Sequence, residues 1–151
     1  MSGLLQIRRG KLADELALYA LVRQFPGPPP NNEAFAQSLR LKLKDQDAFI
    51  AVADIDGKLV GYLAGDAHET FFAGGKIAWV DEILVIEDAR RQGIGRALMS
   101  EFETWATGGR CRLVGLATRG ATEFFSEIGL EESSGYFKRF LKPEDRTRSS
   151  I

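Results

Sequence analysis

The chain has 151 residues, and its 20 basic and 21 acidic side chains give a formal net charge of −1. This balance lacks the large positive field of a nucleic-acid-binding domain, and a content of 44% hydrophobic and 27% charged residues is typical of a globular domain. No apolar run of about 18 residues predicts a membrane span, and a single cysteine permits no internal disulfide. We therefore expect a cytoplasmic protein without nucleic-acid or membrane partners.

Hydrophobic periodicity and turn residues predict an alternation of strands and helices. The predicted elements are, in chain order, a strand over 4–8, helices over 12–25 and 32–43, strands over 48–55, 58–64 and 77–86, a helix over 94–106, a strand over 112–117, a helix over 121–128 and a strand over 136–141. The proline-rich run 26–30 ends the first helix because proline lacks the N–H donor. Asp56-Gly57 favours a hairpin, whereas residues 65–76 have the composition of an irregular loop.

This order of elements indicates an α/β or α+β fold in a single domain over residues 1–142. A mixed central sheet of about six to seven strands flanked by about four helices is expected, with a strand-turn-helix crossover in its middle. Residues 143–151 are polar and predict a frayed C-terminal tail.

The turn from Arg90 to Gly95 lies between a buried strand and a strongly amphipathic helix. Its glycines allow a ligand to approach the backbone closely, and the first turn of the helix presents unpaired N–H groups and the positive end of the helix dipole. Such a turn binds phosphate or pyrophosphate, and neighbouring arginines add positive charge. The Lys and Ser/Thr of a Walker loop are absent, and Leu98 stands where a dinucleotide fingerprint has its third glycine.

The segment Leu84–Leu98, with sequence LVIEDARRQGIGRAL, closely resembles the acetyl-CoA signature of the GCN5-related N-acetyltransferase (GNAT) superfamily. The run ATEFFSEIGL, residues 121–130, is similar to a later segment of that family, Ala-x-x-Phe-Tyr-x-x-x-Gly-Phe. The order of predicted elements also fits the family fold. The resemblance is strongest over 77–141 and weak before residue 48.

The resemblance implies that acetyl-CoA binds as the acetyl donor. No metal is expected, because one histidine and one distant cysteine do not make a ligand set. Backbone amides of the glycine turn would hold the pyrophosphate, and the main chain before it would pair with the pantetheine arm like an added strand. The strand end over 116–118 would splay away to leave a slot for the thioester. The cofactor-binding residues implied in this way are Leu84, Val85, Arg90, Arg91, Gln92, Gly93, Ile94, Gly95, Arg96, Ala97, Thr118, Ala121, Phe124 and Phe125.

The resemblance further implies direct attack of a primary amine on the thioester, which needs a base to take the amine proton. Asp81 and Glu82 are the first candidates, and the alternative for each is a surface carboxylate or a charge that only attracts a cationic substrate. Because successive strand residues point to opposite faces, we expect one of the pair to face the cleft, and Glu82 is favoured. His68 is a further candidate base, and the alternative for it is a solvated loop histidine.

The general acid is a point of departure from the family. Phe125 stands where a tyrosine often protonates the thiolate, and Thr118 stands where asparagine is common. Tyr136 or a water molecule is the replacement that we consider, although a core or edge-strand tyrosine is the simpler interpretation of Tyr136. Cys111 is not needed as a nucleophile and is interpreted as a plain thiol.

Three aromatic residues near the expected cleft, Phe71, Phe72 and Trp79, suit either an apolar acceptor pocket or the core. The leading hypothesis is an acetyl-CoA-dependent N-acetyltransferase that acts on a small amine or a protein amino group. The alternatives are a CoA-binding or acyl-CoA-binding sensor or interaction domain with little catalysis, and a transferase for a longer acyl group. A homodimer is an expectation from the family alone.

Overall fold

A computed structural model describes residues 3–142, 144 and 145. Its strands are β1 (Leu5–Arg9), β2 (Ala48–Ile55), β3 (Lys58–Thr70), β4 (Gly75–Val85) and β5 (Val114–Leu116), and its helices are α1 (Glu15–Val22), α2 (Asn32–Lys44), α3 (Ile94–Gly108) and α4 (Thr122–Glu127). The strands lie in the order β1-β2-β3-β4-β5, antiparallel from β1 to β4, with β5 parallel to β4. The predicted fold class is confirmed, with five strands in the described residues rather than six or seven.

The sheet is covered on both faces, and each face has its own apolar cluster. On one face α3 packs Leu98 and Phe102 against Phe49 and Leu63. On the other face α1 and α2 pack against a second cluster that includes Tyr62. Burying a large apolar side chain stabilises the fold by about 1.5–3 kcal/mol, so the fully buried Phe102 is a principal contact between α3 and the sheet.

The hairpin turn at Asp56-Gly57 and the helix cap at Asn31 form as the sequence predicts. Asp56 and Gly57 have φ values of 52° and 90°, as a two-residue hairpin turn requires, and the Gly57 N–H donates to the Asp54 carboxylate at 2.7 Å. The Asn31 side chain accepts a hydrogen bond from the Ala34 N–H at 2.7 Å and caps α2. The proline-rich segment between α1 and α2 contains no helix, as expected.

Two predicted segments are wrong. Residues 65–76 are not an irregular loop, because β3 and β4 continue as a ladder to the pair Thr70 and Gly75 and only four residues form the turn. Residues 136–141 form no strand, because Tyr136, Phe137 and Leu141 are exposed and do not pack against the sheet. The strand predicted over 112–117 is reduced to β5.

Most of the predicted polar tail, 143–151, lies outside the described residues; within the tail the structure describes residues 144 and 145. Among the residues that are described, no helix has the length and apolar character needed to cross a membrane.

Candidate active site

A β-bulge in β4 determines where its acidic residues point. Ala64 of β3 lies opposite Glu82, whereas the next residue, Gly65, lies opposite Val80, so Asp81 is the extra residue of the bulge. Val80 belongs to the apolar cluster under α3. Asp81 and Glu82 both contact residues of the opposite face, which is the face covered by α1 and α2. The expectation that only one of the two acids faces the cleft is therefore wrong, because the bulge interrupts the alternation.

Beyond the bulge, β4 and β5 separate. The strands pair only where Ala78–Val80 face Val114–Leu116, and β4 then continues for five residues to Val85. The Ile86 N–H donates to the Val60 carbonyl of β3 at 2.9 Å, so alternation along the strand directs the main-chain groups of Val85 away from β3. The Val85 carbonyl accepts a hydrogen bond from Arg90 Nε at 3.0 Å.

The separation opens a cleft of about 1070 Å³. Its walls are the proline-rich segment, the bulge, the end of β5 with the loop to α4, α4 itself, and the segment that follows α4. The lining residues are Val22, residues 25–30, residues 79–83, residues 113–119, Thr122, Phe125, Ser126, Leu130, residues 132–136 and Lys138. The cleft thus brings together Asp81 and Glu82 with Thr118, Phe125 and Tyr136.

The carboxylates of Asp81 and Glu82 have different partners. Glu82 Oε1 accepts a hydrogen bond from the Tyr62 hydroxyl at 2.5 Å. Asp81 Oδ2 lies 3.4 Å from Lys42 Nζ on α2. Burial raises the pKa of Asp81 above its usual range, an effect that Lys42 opposes and that Asp66 reinforces. Burial, together with the adjacent Glu82 carboxylate, also raises the pKa of Tyr62, so this phenol remains a neutral donor.

The glycine turn has the geometry of an anion cradle. Gly93 is the N-cap of α3 with φ +80°, and Arg91 also has a positive φ of 64°. The first backbone hydrogen bond of α3 runs from the Ala97 N–H to the Gly93 carbonyl at 3.0 Å, and the N–H groups before it have no acceptor within the helix. A Cβ built on Gly93 meets no described atom within 4 Å, so the space above the turn is open.

Gly95 has a different role. A Cβ on this residue would lie 3.1 Å from the ring of Phe124 on α4. Phe124 in turn contacts Phe125 edge to face, with ring centroids 5.0 Å apart. Gly95 therefore allows α4 to pack against the start of α3, whereas Gly93 keeps the cradle clear.

The remaining cofactor candidates are divided between the turn and its surroundings. Leu84 packs against the apolar cluster under α1 and α2. Ala121 is the N-cap of α4, and its N–H donates to the Thr118 hydroxyl at 3.2 Å. The glycine turn and the first helical turn of α3 contain Arg90, Arg91, Gln92, Gly93, Ile94, Gly95, Arg96 and Ala97. Of these residues, Ile94 is buried in the core.

Several other candidates lie outside the cleft. The imidazole of His68 is on β3, and its Nδ1 lies 4.0 Å from Asp66 Oδ1. Phe71 and Phe72 are fully exposed at the β3–β4 turn, so the suggestion that they line an acceptor pocket is wrong. Trp79 does line the cleft. Burial raises the pKa of the Cys111 thiol, which lies on another surface.

Sequence reasoning missed two residues that contact the candidate bases, Tyr62 and Lys42. Tyr62 stands in an apolar strand pattern, and a buried tyrosine needs a partner for its hydroxyl, which was the available signal. Nothing in the sequence around Lys42 indicates its contact, because α2 and β4 are distant along the chain. Among the described residues, no group of three or more His, Cys, Asp and Glu side chains is placed to hold a metal ion.

The comparisons with known proteins agree on one family. The profile of the acetyltransferase (GNAT) family matches residues 15–130. An uncharacterised N-acetyltransferase of Methanocaldococcus jannaschii is 34% identical over 97 residues, which are 61% of this chain and 42% of that protein. Aminoglycoside N(6')-acetyltransferase type 1 of Klebsiella aerogenes is 36% identical over 89 residues, which are 56% of this chain and 50% of that protein.

The chain therefore matches about half the length of these curated relatives or less. Among solved structures, an aminoglycoside N-acetyltransferase in complex with CoA superposes with a TM-score of 0.81 at 18% identity, covering 94% of this chain and 98% of that one. At that level of identity the likeness concerns the fold.

Proposed function

The chain belongs to the acetyltransferase (GNAT) family, and on this premise we propose that it transfers the acetyl group of acetyl-CoA to a primary amine by direct attack. The observation that carries the proposal is the separation of β4 from β5 beside two carboxylates, Asp81 and Glu82. A thioester lying along the open edge of β4 would be next to a group that can take a proton from the amine.

The cofactor would be held at two places. The open turn at Gly93 and the unpaired N–H groups at the start of α3 suit the pyrophosphate, because an anion there meets the positive end of the helix dipole. The main-chain groups of Val85 that face away from β3 suit the pantetheine arm, in the manner of an added strand. Arg96, in the first turn of α3, adds a positive charge to the same end.

In the proposed reaction, Glu82 takes the proton from the acceptor ammonium, and the amine nitrogen forms a bond to the acetyl carbonyl carbon. The C–S bond then breaks and CoA leaves as a thiolate. Tyr136 lines the cleft and is 56% exposed, so its hydroxyl is available to protonate this thiolate. Phe125, which also lines the cleft, carries no proton to give.

We further propose a small cationic amine as the acceptor. Asp81 and Glu82 lie side by side in the cleft, and Asp66 is close enough to Asp81 to raise its pKa, so this local group of acids suits an ammonium group. Two of the proteins to which the chain is similar are named as aminoglycoside N-acetyltransferases. A protein amino group is the alternative acceptor, and the cytoplasmic location, the domain bounds 1–142 and a homodimer remain predictions.

The proposal is tested by measuring thiol release from acetyl-CoA with a panel of acceptors that includes aminoglycosides, linear polyamines and lysine peptides. CoA binding is measured in parallel by calorimetry. We expect turnover with at least one multiply charged small amine. CoA binding without turnover on any amine would instead support a CoA-binding sensor domain, a candidate that the phenylalanine at position 125 favours.

A further inference from the structure

We propose that Tyr62 is a positioning residue that holds Glu82 in the orientation needed to accept the amine proton. The inference rests on the proposed function, because it assumes that Glu82 is the base. Its basis is the 2.5 Å hydrogen bond from the Tyr62 hydroxyl to Glu82 Oε1, formed by a tyrosine that is only 2% exposed. A short hydrogen bond to a charged acceptor is among the stronger ones in proteins.

The register of the sheet makes this contact possible. Glu82 lies directly opposite Ala64, and Tyr62 lies opposite Leu84, so Tyr62 and Glu82 are diagonal neighbours on the same face. A long aromatic side chain reaches a diagonal neighbour on an antiparallel pair. Because Ala64 is small, the space in front of Glu82 is left for the Tyr62 hydroxyl. A large residue at position 64 would block this path.

The environment of Tyr62 leaves its hydroxyl with little freedom. The ring belongs to the apolar cluster under α1 and α2, and Phe25 contacts it edge to face with centroids 6.4 Å apart and an interplanar angle of 88°. Burial and the adjacent Glu82 raise the pKa of the Tyr62 phenol, so the hydroxyl stays protonated and donates its one hydrogen bond to Glu82. With Oε1 held in this way, the orientation of the whole carboxylate is fixed.

Lys42 and Tyr62 therefore give the two neighbouring acids different freedom. The contact of Asp81 with Lys42 is longer, at 3.4 Å, and the two side chains are 31% and 33% exposed, so both can rearrange in solvent. Glu82 is hydrogen-bonded to Tyr62, which is buried and cannot rearrange in this way. Proton transfer depends on geometry within hydrogen-bond reach, so the fixed carboxylate is the one suited to the base.

The test is a double-mutant cycle with Tyr62→Phe and Glu82→Gln, measured with acetyl-CoA and the best acceptor of the panel. Tyr62→Phe keeps the ring and removes the hydroxyl, and we expect kcat to fall about 10-fold while the KM for acetyl-CoA stays within about twofold. In the Glu82→Gln background the same change should have no further effect on kcat, because Tyr62 acts through Glu82.

Tyr19→Phe is the matched control. It removes another tyrosine hydroxyl, which donates to the Pro30 carbonyl in the wall of the cleft and has no contact with Glu82. Any change in kcat that it causes should be the same in the wild-type and Glu82→Gln backgrounds. Melting temperature and CoA binding establish that each variant is folded.

Three results would overturn the proposal. Unchanged kcat in Tyr62→Phe, or losses that multiply in the double variant, would show that Tyr62 does not act through Glu82. If Tyr62→Phe does not fold, Glu82→Asp withdraws the carboxylate by one methylene from Tyr62, and unchanged kcat there would also contradict it. Full activity of Glu82→Gln would show that Glu82 is not the base. That result contradicts the proposed mechanism, and it is obtained with Tyr62 unchanged.

Discussion

The carboxylates of Asp81 and Glu82, adjacent in sequence, lie on the same face of β4, where one contacts Lys42 and the other contacts Tyr62. In a regular strand the two would point to opposite faces. The bulge at Asp81 places both in one cleft, and in the proposed reaction one acid attracts the acceptor while its neighbour takes the proton.

Glu82→Gln should lower kcat by about 100-fold, because a positioned general base contributes about 10²–10⁴-fold to a proton-transfer step. The affinity for CoA should be unchanged, since the substitution is isosteric and lies away from the glycine turn. Steady-state kinetics and calorimetry measure the two quantities. Glu87→Gln removes an exposed carboxylate outside the cleft and is the control. Wild-type kcat in Glu82→Gln would contradict the assignment of the base.

Asp81→Asn should raise the KM for a multiply charged acceptor about fivefold with little change in kcat, because a partly exposed charge contributes modestly to binding. A singly charged amine should be affected less. Burial raises the pKa of Asp81, so it becomes protonated at a higher pH than an ordinary carboxyl group. The difference between wild type and variant should therefore shrink as the pH is lowered. A fall in kcat at constant KM would instead identify Asp81 as the base.

Gly93→Asp should weaken CoA binding by at least about 100-fold, because it places a carboxylate at an anion site. Calorimetry measures the affinity. Gly95→Ala is the informative comparison: its Cβ would press on Phe124, so the free energy of unfolding should fall by about 1–3 kcal/mol. Undiminished CoA affinity in Gly93→Asp would show that the turn is an ordinary connection between a strand and a helix.

The site was predictable from sequence where its chemistry is local. The turn at Gly93 and the hairpin at Asp56 depend on backbone conformations that neighbouring residues specify, and both were predicted. The bulge at Asp81 depends on the register between β3 and β4, which no local pattern reveals. The contacts of Lys42 with Asp81 and of Tyr62 with Glu82 were missed for the same reason. The first joins residues 39 apart in the sequence, and the second joins residues 20 apart.

A separate prediction concerns stability. Arg8 donates two hydrogen bonds to the buried Asp14, at 2.8 and 2.9 Å, and a third to Asp54 at 3.1 Å. The adjacent Arg8 guanidinium holds the pKa of the Asp14 carboxyl below its usual value of 3.8. Asp14 therefore contributes stability that is fully present above pH 3.8 and is lost as the pH falls through its lower folded value.

Asp14→Asn should consequently lower the free energy of unfolding by about 2–4 kcal/mol at pH 7, because it leaves part of the Arg8 charge without its partner. The difference from wild type should shrink as the pH is lowered below 3.8. Urea unfolding at several pH values measures this. A difference that does not depend on pH would mean that packing, rather than the ion pair, accounts for the loss.

The contact of Gly95 with Phe124 connects the two ends of the site. The glycine turn at the start of α3 and the cleft wall at Phe125 are joined through the edge-to-face pair of Phe124 and Phe125, so a shift of one would displace the other. A cofactor that orders the glycine turn would also order the cleft wall, where we propose that the acceptor binds. Binding of the cofactor would then alter the affinity for the acceptor. By reciprocity, the acceptor would alter the affinity for the cofactor by the same factor.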